Sequence, residues 1–120
     1  MADTFVEEVD GATLDESLAG SDGVVLLEIW GEGCPPCRAI APVLEELAGQ
    51  VEGLTVLKAN IDEHPGLAAR FDVLGVPTLL FFVEGRLAQR LVGARSKPAL
   101  VEEIHRLVRS PPPRREGSPP

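Results

Sequence analysis

The sequence predicts an α/β domain built on one mixed central β-sheet with helices on both faces. Apolar runs of strand length alternate along most of the chain with segments of helical period, the pattern of strands covered by helices. The alternation breaks once, where Thr78–Val83 and Leu87–Val92 follow each other across Glu84 and Gly85, which reads as an antiparallel hairpin within the sheet. A chain of 120 residues, 44% of them hydrophobic, holds one core comfortably and two poorly.

The elements follow in order. Phe5–Val9 suits a short edge strand. Thr13 followed by Glu16 has capping-box spacing and predicts a short helix ending near Ala19. Val24–Trp30 is largely apolar on both faces, as a central strand between helical layers must be, with Glu28 interrupting the run. Pro35–Ala48 places Ile40, Leu44, Leu47 and Ala48 on one helical stripe, with Arg38, Glu45 and Glu46 turned away; Pro42 within it predicts a bend. Leu54–Asn60 is a further strand and Pro65–Phe71 a short helix. After the hairpin, Ser96 can cap a last helix whose inward face is Leu100, Ile104, Leu107 and Val108. The folded domain is expected to span residues 1–109. Residues 110–120, SPPPRREGSPP, have no apolar side chain but proline to bury, and are expected to be a disordered proline-rich tail.

Composition removes several function classes. A net charge of -8 argues against a dedicated nucleic-acid binder or an anionic-membrane anchor. The apolar runs fall far short of the roughly 20 residues that span a bilayer. No basic leader precedes an apolar N-terminal segment, so a soluble, cytoplasmic protein is expected. No feature demands more than a monomer. Two cysteines exclude both a disulfide-dense scaffold and a four-cysteine zinc site.

Those cysteines stand in Trp30-Gly31-Glu32-Gly33-Cys34-Pro35-Pro36-Cys37-Arg38, at the transition from strand to helix. With Cys34 as N-cap, the two prolines fill the first helical positions, where a missing N–H costs little, and Cys37 follows one turn on. The sulfurs then lie within bonding reach. The helix dipole favours a thiolate at Cys34, and because neither proline has an N–H, the best cap donor for its sulfur is the Cys37 amide. Cys34 is expected to be the exposed attacking thiol and Cys37 the resolving one, in thiol–disulfide exchange. A lone CxxC also serves as half a zinc site or as two unrelated buried cysteines. His64 and His105 are the only imidazoles and neither stands at zinc-finger spacing from the pair, so no metal or other cofactor is expected.

Over residues 5–109 the chain resembles the thioredoxin family. The matching pieces are Trp30 before Cys34-Pro35-Pro36-Cys37-Arg38, the segment Lys58-Ala59-Asn60-Ile61-Asp62, Val76-Pro77-Thr78 at the hairpin, and Gly85 and Gly93. The resemblance implies a thioredoxin-like fold, Cys34 as nucleophile, Cys37 as resolving thiol, and a cis Pro77 beside them. A cis bond there would leave the Val76 backbone free to pair with an extended substrate, with Trp30, Gly33, Pro35 and Gly93 around the same site. It also implies that Glu28, in place of the family's buried aspartate, exchanges a proton with Cys37 through water. Lys58 is then the neighbour that pairs with Glu28. The implied partners are a flavin-dependent reductase and oxidised proteins.

The chain also departs from the pattern. Gly33 stands where the family usually has a second tryptophan, which should leave the nucleophile more open, and Pro35 where the commonest signature has glycine. Residues between the cysteines tune the reduction potential, so a thiol oxidase or disulfide isomerase stands beside the reductase reading, as does a binding module whose cysteine pair is incidental.

Overall fold

The computed structural model describes residues 5–109, and the tail expected over residues 110–120 lies outside them. The order is β1 (Val6–Glu8), α1 (Gly11–Gly20), β2 (Val24–Trp30), α2 (Pro35–Gln50), β3 (Leu54–Asn60), α3 (Pro65–Arg70), β4 (Thr78–Val83), β5 (Arg86–Val92) and α4 (Lys97–Arg109). The five strands form one sheet in the order β1-β3-β2-β4-β5. β1 and β2 run parallel to β3, whereas β4 pairs antiparallel with β2 and β5 antiparallel with β4. The expected mixed sheet is therefore present.

Strand alternation divides the core into two layers. Val24 and Leu26 of β2 join Val56, Leu79 and Phe81 under α2 and α4, whose stripes contribute Ile40, Leu44, Leu47, Leu100, Ile104 and Leu107. On the other face, Val25, Leu27 and Ile29 join Leu57, Ala59, Leu80 and Phe82 under α1 and α3, through Leu14, Leu67 and Ala68. By this alternation Glu28 follows Leu26 onto the α2 side.

Three local readings need correction. Helix α1 starts at Asp10 and not at Thr13: Asp10 Oδ1 accepts from the Thr13 amide at 2.9 Å, and Thr13 Oγ1 accepts from the Asp10 amide at 2.8 Å. Thr13 is thus the third helical residue of the box. The earlier start places buried Val9 and Leu14 on either side of the cap, where both join the same core layer as a hydrophobic staple. Val108, expected inside, is 63% exposed. At about 100° per residue it lies some 80° round the helix from Leu100, off the narrow stripe that meets the sheet. Finally, α2 runs through Pro42 and on to Gln50, two residues past its expected end.

The hairpin turn has Glu84 at φ 53° and Gly85 at φ 77°, both left-handed as a type I′ turn requires. The register between β4 and β5 shifts at Phe81/Phe82. Ser96 Oγ accepts from the Ala99 amide at 3.3 Å, capping α4 as expected.

Candidate active site

The cysteine pair lies where β2 hands the chain to α2. Cys34 is the N-cap, in extended backbone, and Pro35 and Pro36 open the helix. Cys34 and Cys37 form a disulfide, with Cα atoms 5.2 Å apart. Cys34 Sγ accepts from the Cys37 amide at 3.2 Å, the one donor that two prolines leave within the first turn. Cys37 belongs to the stripe that continues through Ile40, Leu44 and Leu47, so the helix face that buries the core also buries this sulfur.

Exposure does not separate the two cysteines as expected. Cys34 is 6% and Cys37 5% exposed in the disulfide form, and Gly33 does not lay the first of them bare. Gly33 itself is exposed at φ 65°, with open space where a side chain would begin. Its effect is on the loop surface beside the disulfide.

Glu28 is 3% exposed, and its Oε2 is a buried atom without a hydrogen-bond partner. Burial pushes its carboxyl up from the ordinary range to about 7; the Lys58 charge opposes that rise and the Glu8 charge adds to it. The strand registers explain why these three act together, since Lys58 sits opposite Glu28 on one side and Glu8 on the other. Glu28 and Lys58 do not form the expected direct ion pair. The Lys58 ammonium lies 5.4 Å over the Trp30 ring, a cation–π contact.

Glu8 is the residue the sequence did not single out. Its Oε1 accepts from Trp30 Nε1 at 3.3 Å and its Oε2 from the Asn60 amide at 2.8 Å. It ties β1 to the ends of β2 and β3. Only the parallel register of β1 on β3 brings it there, and local sequence carries no signal of that pairing. His64 Nε2 stands 3.8 Å from Glu8 Oε2. Glu8, Glu63 and His64 bring possible metal-ligand atoms within 4.8 Å of one another, a group that includes neither cysteine.

Val76 and Pro77 precede β4, and the bond between them is cis. Pro77 is buried and Val76 half-buried, while Leu74 nearby is 94% exposed. The Gly93 amide donates to the Pro77 carbonyl at 2.8 Å, joining the two ends of the hairpin. On the α2 side of the disulfide a cavity of about 330 Å³ opens, with Glu28, Trp30, Gly33, Cys37 and Lys58 among its walls. Glu28, Cys37, Trp30 and Lys58 thus share one space, whereas Val76, Pro77 and Gly93 are not among the residues that line it.

Residues 5–106 match the family model described as Thioredoxin. The chain belongs to the thioredoxin family. A thioredoxin from Staphylococcus saprophyticus is 39% identical over 102 residues, 84% of this chain and 96% of that protein. A bifunctional thioredoxin reductase/thioredoxin from Mycobacterium leprae is 37% identical over 102 residues, which cover 84% of this chain and 22% of that longer protein. Among solved structures, a mutant thioredoxin from Halobacterium salinarum superposes with a TM-score of 0.82 at 33% identity, covering 93% of this chain and all of that one. Thioredoxin-type redox activity through the Cys34–Cys37 pair follows from this membership. No helix among the described residues is long and apolar enough to cross a membrane.

Proposed function

We propose that this protein reduces disulfides in other proteins, with Cys34 as nucleophile, Cys37 as resolving thiol and Glu28 as the base that serves Cys37. The observation that carries the reading is the buried Glu28 carboxyl, lining the same cavity as Cys37 with one oxygen unpartnered. In the dithiol form the Cys34 thiolate attacks one sulfur of the substrate disulfide. A mixed disulfide forms and the other substrate sulfur leaves as a thiolate, which takes a proton from solvent. Glu28 then accepts the Cys37 proton, and the Cys37 thiolate attacks Cys34 Sγ. The Cys34–Cys37 bond closes, and the second substrate sulfur leaves and is protonated in turn. Two electrons have passed from the dithiol to the substrate. A carboxyl whose midpoint lies near 7 can both take and return that proton at neutral pH.

Lys58 acts as a positioning charge that holds the Glu28 midpoint from rising further. Trp30 lines the same cavity as Cys37. An extended substrate pairs with the backbone at Val76, beside the cis bond to Pro77, and Trp30, Gly33, Pro35 and Gly93 complete its binding surface. A flavin-dependent reductase returns the electrons, a pairing supported by the Mycobacterium leprae relative, a bifunctional thioredoxin reductase/thioredoxin.

The test is a two-part assay. Reduced protein should reduce a disulfide-bonded protein substrate, and Cys34→Ser should abolish this. Cys37→Ser should instead accumulate the mixed disulfide. The reduction potential should fall toward the reducing end of the scale, about -270 mV, the figure associated with thioredoxin; a value near about -180 mV would make the protein an isomerase or oxidase.

A further inference from the structure

The strand order sets out the charges along the edge of the sheet that carries the disulfide. β2 and β3 are parallel, so their last residues share that edge with the start of β4 and with the end of β5, where Val92 pairs with Thr78. In the order β3-β2-β4-β5, the connections there present Asp62 and Glu63, then Glu32 beside the cysteine pair, then Val76 and Pro77, then Gly93, Ala94 and Arg95. Asp62, Glu63 and Glu32 are exposed acids, and Arg95 is an exposed cation. The disulfide therefore lies between opposite charges. Arg95 is also held in one place. Its Nη1 donates to the Val92 carbonyl at 3.0 Å and to the Ala94 carbonyl at 3.3 Å, which folds the side chain back over Gly93. Nη1 stands 3.5 Å from the point where a Gly93 Cβ would begin. Gly93, at φ 94°, is itself tied to the cis-proline segment through its amide on the Pro77 carbonyl. Among the described residues no carboxylate forms an ion pair with Arg95. The bonds to the two carbonyls use Nη1 alone, which leaves Nε and Nη2 as a fork of donors that fits a carboxylate.

We propose that Arg95 determines specificity by binding an acidic side chain of the substrate, an aspartate or glutamate within about three residues of the cysteine that bonds to Cys34. The inference rests on the exchange reading above and names the substrates it favours. Its reach follows from the sheet: β5 lies two strand spacings from β2, about 10 Å, which an extended chain covers in about three residues. The two bonds to its own backbone restrict the guanidinium beforehand, so less ordering is lost when a carboxylate docks. On the other flank Glu32, Asp62 and Glu63 repel a carboxylate, so an acidic residue gains only on the Gly93 side. Arg38, an exposed cation one residue past Cys37, lines the cavity beside Cys37 together with Glu32 and Glu45, which offset its charge.

The experiment uses the reduced full-length protein and disulfide-linked dimers of a short peptide, three alanines on each side of one cysteine. One alanine at a time is replaced by glutamate or by glutamine. Each rate of reduction is divided by that of dithiothreitol on the same peptide, which removes the carboxylate's own effect on the disulfide. At one or two of the six positions the glutamate peptide should be reduced about threefold to fivefold faster than the glutamine peptide at low salt, the gain of an exposed ion pair, and the preference should fade at about 0.5 M salt. Arg95→Gln should erase the preference, and Arg95→Glu should transfer it to a lysine peptide. Arg38→Gln makes the same change in net charge as Arg95→Gln and should leave the preference in place. Equal rates for glutamate and glutamine at every position, or a preference lost equally in Arg38→Gln and Arg95→Gln, would overturn the proposal while the exchange reading stands. Failure to reduce any of the peptides would instead count against the exchange reading, and binding then decides the inference. For that, the oxidised protein is titrated with the peptides carrying serine in place of cysteine, read by NMR at the Arg95 side-chain Nε–H. The glutamate peptide should bind at least about threefold more tightly than the glutamine one; equal binding overturns the proposal.

Discussion

Replacing Glu28 by glutamine should make the oxidised protein more stable at pH 8 than at pH 4.5, relative to wild type. The carboxyl titrates near 4.5 in an unfolded chain and near 7 when buried. Between those values the folded state binds a proton that the unfolded state has lost, so wild-type stability falls as pH rises. The stabilisation is complete below 4.5 and gone once pH has passed 7. A shift of that size, at 1.36 kcal/mol per pH unit, corresponds to about 3 kcal/mol across the window. Glutamine keeps the shape and carries no titrating proton. Every other carboxylate is common to both proteins and cancels in the difference. Urea denaturation of the two disulfide-closed proteins at half-unit steps from pH 4 to 8.5 measures it. The expected difference climbs by about 1 kcal/mol per unit between pH 5 and 7 and is flat above 7.5. A difference that does not vary with pH would refute the argument that burial, and not some specific contact, governs this carboxyl.

Three further outcomes follow from the structure. Gly23→Ala should destabilise by roughly 1–3 kcal/mol in urea melts, because its Cβ would stand 2.0 Å from the Gly53 carbonyl oxygen, which also accepts from the Val24 amide; a neutral result would mean that the β2–β3 entry yields easily. Asp10→Ala should cost about 1 kcal/mol by removing half of the capping box, and Thr13→Ala should then add less than it does alone. Glu8→Gln should lower the Glu28 midpoint, read by carboxyl-carbon NMR, since the Glu8 charge pushes it up; an unmoved midpoint would show that the three-strand row of charges is not coupled.

Much of this molecule was legible in its sequence because its signals are local. The apolar run of β2, the Ile40-Leu44-Leu47 stripe and the Cys34 cap with its Cys37 donor each depend on residues within two turns or one strand. What escaped depends on pairing across the chain. Glu8 meets Trp30 and Asn60 only because β1 lies beside β3, with more than fifty residues between Glu8 and Asn60 in sequence. Lys58 was expected on Glu28, but cross-strand neighbours need not touch, and the Trp30 ring offers the ammonium another seat. Thr13 carried a capping pattern as good as that of Asp10 by spacing alone; burial of Val9 beside Leu14 decided between them. Equal burial of the two cysteines likewise depends on the surrounding loops, which the four-residue motif does not describe.

The two ends of the sheet also bear on how the protein behaves at high concentration. A free strand edge is a template on which another chain can pair, and long flat apolar edges promote aggregation. Here β1 offers only three residues, two of them exposed glutamates, and β5 carries Arg86 and Arg90 along a strand whose pairing with β4 is broken by a register shift. Opposite charges guard opposite margins, so two copies brought side by side with like margins meet repulsion before any backbone contact forms.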